Sequence, residues 1–96
     1  MKPCVYILAS KRNGSLYIGM TTDIRRRMAE HRDGFVRHKR RYRIRRLVYL
    51  EAHDAIEDAA VREKRLKEWR RACKIRLIEA ANPNWDDLAR DFALLD

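Results

Sequence analysis

The sequence predicts a small α+β fold, a three-stranded antiparallel sheet flanked by helices in the order β-β-α-β-α-α. Three observations lead there. Two short runs rich in β-branched and aromatic residues bracket an Asn13-Gly14 turn. A third such run centres on Leu47-Val48-Tyr49-Leu50, and much of the remaining chain carries apolar residues at helical spacing. At 96 residues the chain has material for one core, so residues 1–96 are read as a single domain.

Each element has its own signal. Residues 4–10 (Cys-Val-Tyr-Ile-Leu-Ala-Ser) form a first strand, Lys11 to Gly14 the turn, and Ser15 to Met20 the returning strand. Thr21 or Thr22 can cap a helix with Asp23 in its first turn, ended by Asp33-Gly34. Phe35 to Ile44 is an arginine-rich connection, and Arg46 to Glu51 is the third strand. Asp54-Ala55-Ile56-Glu57 has capping-box spacing and opens the most regular helix, whose stripe runs through Ile56, Ala59, Ala60, Glu63 and Leu66. Lys74 to Ala81 gives a further helix stopped by Asn82-Pro83, and Trp85 to Phe92 a short last one capped by Asn84.

Composition narrows the class. With 46% hydrophobic and 39% charged residues, the chain is too apolar for a disordered segment and carries no run of membrane-spanning length. Its amino terminus enters a strand without the apolar core of a signal peptide. Cys4 and Cys73 lack metal-site spacing and read as reduced thiols of a cytoplasmic protein. A membrane protein, a disulfide scaffold and a thiolate zinc finger are all disfavoured.

The charge points to a partner. The formal net charge is +9, and the segment Arg25 to Arg46 holds eleven basic residues against Glu30 and Asp33, which accounts for the whole excess. Arginine outnumbers lysine 17 to 6, and its planar fork suits bidentate contact with phosphate. A localised patch of this kind fits a nucleic acid, contacted by Arg26, Arg37, Lys39, Arg40, Arg41 and Arg43. An exposed Trp85 or Phe92 on so small a core is compatible with a homodimer.

Glu63 is the residue that composition does not explain. It falls between Ala60 and Leu66 on the apolar stripe, where an unpartnered carboxylate costs several kcal/mol. Either the helix turns it to the rim, paired with Lys67 at i+4, or it holds a divalent metal. Tyr6 and Tyr17 lie on the two strands of the hairpin, where taken alone they read as half-buried sheet aromatics, and Gly19 marks a bulge or close backbone approach. Arg27 and His31 project together at i, i+4.

In this order and spacing, Tyr6, Tyr17-Ile18-Gly19, Arg27, His31 and Glu63 resemble the GIY-YIG nuclease superfamily over nearly the whole chain. The chain also looks like its small standalone bacterial members, through Glu63-Lys64-Arg65-Leu66-Lys67, Trp69-Arg70-Arg71 and Asn82-Pro83-Asn84-Trp85. The resemblance implies a metal-dependent endonuclease or DNA-processing enzyme that hydrolyses phosphodiester bonds with one Mg²⁺ or Mn²⁺. Carried over by position, Glu63 is the metal ligand, Tyr17 the general base or water-orienting group, Tyr6 its support, and Arg27 the stabiliser of charge on the scissile phosphate. His31 assists proton transfer or contacts phosphate. A phenol titrates near 10 in water, so a base role needs the metal or neighbouring cations.

The first motif departs from the family as Cys4-Val5-Tyr6, and the family's late asparagine corresponds to Asn82 or Asn84, with Asn82 preferred. Well-understood relatives attach a separate DNA-binding domain. Here specificity is expected from the basic segment, from oligomerisation or from a partner protein. The substrate is read as DNA ahead of RNA, cleaved structure-selectively in repair or recombination. The alternative is a non-catalytic nucleic-acid-binding module on the same fold.

Overall fold

A computed structural model describes residues 2–32 and 44–90. Strands β1 (Cys4–Ala9), β2 (Leu16–Thr21) and β3 (Arg46–Ala52) form one antiparallel sheet in the order β2-β1-β3. Helix α1 (Ile24–Arg32) follows β2, and helices α2 (Ile56–Glu68) and α3 (Arg71–Ala81) follow β3. The expected element order holds through Ala81.

The central strand β1 is buried along its whole length, and its alternation assigns the two faces of the sheet. Val5, Ile7 and Ala9 point to one side, where Ile18, Val48, Ala59, Leu66, Ile78 and Trp85 complete the main core under α2 and α3. Tyr6 and Leu8 point to the other, with Ile24 and Met28 of α1, Ile44 and Leu47. The shift in β1–β3 pairing between Ile7 and Leu8 skips Val48 and leaves it on the main-core side. The hairpin pairs Cys4 with Thr21 through Ala9 with Leu16. Its turn is closed by the Gly14 amide donating to the Lys11 carbonyl at 2.9 Å, with Asn13 in the left-handed region at φ 59°.

Local chemistry departs from the sequence expectation at five places. Asp23, not a threonine, caps α1: its carboxylate accepts from the Arg26 amide at 3.2 Å, while Thr21 Oγ1 accepts from the Asp23 amide at 3.0 Å. The capping box ahead of α2 does not form. Lys2 takes the Asp54 carboxylate at 3.0 Å, Ala55 is the N-cap, and Glu57 and Asp58 are left to complement the helix dipole. Helix α2 is also rotated from the expected stripe, so that Ala59, Arg62, Glu63 and Leu66 turn inward while Ile56 and Ala60 are exposed. Helix α3 starts at Arg71, three residues before the expected Lys74.

The fifth departure concerns the segment after α3, where the sequence predicts a helix over Trp85 to Phe92; residues 91 and 92 lie outside the described residues. Residues 85–89 are not helical. Trp85 sits at φ 57°, fully buried, with its indole N–H donating to the Glu79 carboxylate at 2.8 Å. The Asn82 side chain donates to the Val48 and Asp86 carbonyls at 3.0 and 2.9 Å and accepts from the Asp86 amide. These bonds occupy the groups a helix would use. The segment instead lies along β3, where the Leu88 amide donates to the Leu47 carbonyl and the Asp87 carboxylate accepts from the Leu47 amide. This covers a sheet edge that would otherwise leave its amides open. Trp85 is therefore a core residue, and the expectation that its exposure would favour a dimer is withdrawn.

Candidate active site

The face of the sheet under α1 carries a polar cluster in an otherwise apolar setting. Tyr6, opposite Gly19 in the register, is fully buried, and its hydroxyl lies 3.1 Å from His31 Nε2. The three rings pack together, tilted for Tyr6–Tyr17 with centroids 6.2 Å apart and edge on for Tyr6–His31 at 5.9 Å and Tyr17–His31 at 5.6 Å. Burial pushes the Tyr6 phenol well above its ordinary range, and the neighbouring Tyr17 pushes it further. The Arg27 guanidinium lies close enough for its charge and hydrogen bonding to oppose that rise without cancelling it. Tyr6 is thus a neutral phenol at physiological pH. Four of the residues expected at the site, Tyr6, Tyr17, Arg27 and His31, meet around one hydroxyl.

Gly19 is what permits the meeting. A Cβ there would stand 2.5 Å from the Tyr6 hydroxyl oxygen, 2.6 Å from Cζ and 3.1 Å from Tyr17 Cε1. The backbone of β2 is approached directly by the phenol, a position that only glycine fills. Beside it, a polar cleft of about 220 Å³ opens between the end of β2 and α1, lined by Thr21, Asp23, Arg26, Arg27 and Glu30 among others. Glu30 holds both arginines, with Oε1 3.5 Å from Arg26 Nε and 3.7 Å from Arg27 Nε. The spacing of Glu30 from Arg26 and Arg27 is the i+4 and i+3 signal that identifies such a partner.

The other expected site residues are placed differently. Glu63 is half-buried on α2, its side chain 26% exposed, and its Oε1 accepts from Lys67 Nζ at 3.2 Å. The i+4 pairing weighed from sequence is therefore present. Arg37, Lys39, Arg40, Arg41 and Arg43 lie outside the described residues. Asn82 is the buried anchor of the turn after α3, whereas Asn84 is exposed. Among the described residues no cluster of three or more His, Cys, Asp and Glu is positioned around a common point. A single hard carboxylate fits Mg²⁺, which keeps several waters and shares one or two protein carboxylates with substrate phosphate. Glu63 presents a single carboxylate of this kind, engaged by Lys67.

Sequence reasoning missed a second network on the main-core side of β3. The Glu51 carboxylate accepts from Tyr49 Oη and from Arg62 Nε at 2.8 Å and Nη2 at 3.4 Å, and lies 2.9 Å from His53 Nε2. Burial alone would raise its pKa, but hydrogen bonds from Tyr49, Arg62 and His53 with the Arg62 charge hold it below the usual carboxylate range. The alternation of Tyr49, Glu51 and His53 along one strand face was the available signal.

A three-stranded antiparallel sheet with a paired tyrosine, arginine and histidine cluster on the α1 face defines a GIY-YIG-type catalytic fold. The chain belongs to that family: the GIY-YIG catalytic domain matches residues 2–76. Among its relatives is UPF0213 protein SSP2268 of Staphylococcus saprophyticus, 38% identical over 80 residues that cover 80% of this chain and 94% of the relative. The solution NMR structure of UPF0213 protein BH0048 from Bacillus halodurans superposes with a TM-score of 0.57 at 32% identity, over 91% of this chain and 93% of that one. Neither name states an activity. The family is that of GIY-YIG nucleases, whose members commonly use a divalent metal and whose substrate is a nucleic acid. No helix among the described residues is long and apolar enough to cross a membrane.

Proposed function

We propose that the protein is a metal-dependent endonuclease or DNA-processing enzyme that hydrolyses phosphodiester bonds, selecting DNA by structure and serving repair or recombination in the cytoplasm. The observation that carries this reading is the convergence of Tyr17, Arg27 and His31 on the buried Tyr6 hydroxyl. Because that phenol stays neutral, it supports rather than reacts: it accepts from Arg27 and shares a hydrogen bond with His31 Nε2, holding both in place. Arg27 then faces the cleft with its fork set for a phosphate, where developing charge is greatest in the transition state. Tyr17 orients or deprotonates the attacking water, and His31 contacts phosphate or assists proton transfer. Glu63 would hold Mg²⁺ or Mn²⁺ once Lys67 yields the carboxylate. The bound ion supplies Lewis-acid polarisation of the phosphate. Arg26, with Arg37, Lys39, Arg40, Arg41 and Arg43, would track the DNA backbone.

The Glu63–Lys67 ion pair favours a second reading, a nucleic-acid-binding module that retains the fold without catalysis. One experiment separates them. The purified chain is incubated with Mg²⁺ or Mn²⁺ and single-stranded, nicked or branched DNA. Cleavage that falls at least about 100-fold in Glu63→Gln and Tyr17→Phe, with unchanged circular dichroism, is expected. Binding without cleavage of any substrate would establish the second reading. Cleavage that survives both substitutions would reject the assigned site.

A further inference from the structure

The junction of α2 and α3 carries an open apolar groove of about 660 Å³, lined by Trp69, Cys73 and Leu77 with Arg70 and Arg76 at its rim. Trp69 is 37% exposed, one of few large apolar side chains so placed among the described residues. Its ring is held from behind: the Arg62 guanidinium lies 5.1 Å from the ring centroid, and Arg62 is itself fixed by Glu51. Through Arg62, the Glu51 network reaches an exposed indole. The surroundings are cationic. Between Trp69 and Ile78 the sequence has four basic residues and no acidic one. An indole platform with an apolar floor and arginines at its edge is complementary to a base flanked by phosphates. A second protein copy would have to bury that arginine rim against its own.

We propose that this groove binds an unpaired base of single-stranded DNA, stacked on Trp69, with Arg70 and Arg76 on the adjoining phosphates. The choice of DNA rests on the cleavage reading above; the stacking platform does not. Trp69 follows directly on the helix that carries Glu63, so the groove and the candidate metal ligand belong to the same α2–α3 unit. The site thereby gives the chain a preference for unpaired strand.

The test uses intrinsic fluorescence of the full chain in EDTA, where cleavage cannot intervene. Trp85 is fully buried, so a ligand-dependent change reports Trp69. A thymidine 12-mer is expected to quench the emission, and an abasic 12-mer of the same charge is expected to bind more weakly without quenching. Trp69→Ala should weaken the thymidine 12-mer roughly tenfold while changing the abasic 12-mer less than about twofold; Trp69→Phe should restore most of the loss. Equal affinity of the wild type for both oligomers would overturn the proposal. So would a dimer by light scattering that Trp69→Ala converts to monomer, since a second copy would then be the occupant. Absence of cleavage when Mg²⁺ is restored would bear on the nuclease reading and leave the stacking result standing.

Discussion

Replacing Gly19 by alanine tests the site and its packing together. The added Cβ would lie 2.5 Å from Tyr6 Oη and 2.6 Å from Cζ, about 1 Å inside ordinary contact. Tyr6 cannot swing away, because it is fully buried on the central strand with its hydroxyl tied to His31 Nε2 at 3.1 Å. Overpacking of this kind costs about 1–3 kcal/mol, and the lower backbone entropy of alanine in the unfolded chain returns about 0.5–1 kcal/mol. At the middle of these ranges the expected net loss is about 1 kcal/mol, which for a domain of this size lowers Tm by about 4–8 °C. Urea and thermal denaturation measure it. Combined with Tyr6→Phe, which removes the nearer of the two contacts and the His31 bond, the cycle should show a coupling above about 0.5 kcal/mol. A Gly19→Ala protein as stable as wild type, or additive energies in the double variant, would refute the close approach and with it the assembly of the cluster around the Tyr6 hydroxyl.

Two further predictions concern stability. Trp85→Ala should cost about 3–5 kcal/mol, read from the urea midpoint, because it empties the main core and strands the Glu79 carboxylate; a loss below 1 kcal/mol would contradict its burial. Alkaline pH should destabilise the fold. Burial, with the Glu51 hydrogen bond and charge, pushes the Tyr49 phenol up to about 12, and burial raises Tyr6 as well, whereas the unfolded phenols titrate near 10. Both contributions are complete below pH 10. Above it the unfolded chain loses protons that the folded one keeps, so the unfolding free energy from urea denaturation should fall, by at most about 1.4 kcal/mol per pH unit for Tyr6 and by less for the partly exposed Tyr49. Tyr49→Phe should reduce that slope, and a flat midpoint to pH 11 would show that neither phenol is sequestered.

What was legible in the sequence was what local pattern decides. Strand alternation, the Asn13-Gly14 turn and the stop at Asn82 depend on neighbours in the chain, and they stand in the structure. The errors fall where a distant group intervened. Asp54 has capping spacing, yet Lys2 takes its carboxylate from 52 residues away. Trp85 follows a helix-capping residue, but the core demands its indole and Asn82 claims the backbone of Asp86. Helix α2 departs from the expected stripe where Glu51 on β3 draws Arg62 inward. At the site, residue identities came from family resemblance. The clustering of Tyr6, Tyr17, Arg27 and His31 is a tertiary fact that spacing alone left open between catalysis and packing.

The division of the sheet into two faces explains how so small a domain accommodates chemistry. The α2 and α3 side holds the larger core and the fully buried Trp85, Leu66 and Ile78, so it can supply most of the stability. The α1 side can then tolerate a phenol and an imidazole at its centre, groups that would weaken a sole core unless each found a partner. Tyr6 belongs to both accounts. It is part of the α1-side apolar cluster and the hub of the polar one, so its ring packs with Leu8 and Met28 while its hydroxyl holds His31. A substitution that keeps the ring and deletes the hydroxyl therefore separates positioning from packing, whereas changes at Val5 or Ile7, one residue away on the same strand, act on stability alone.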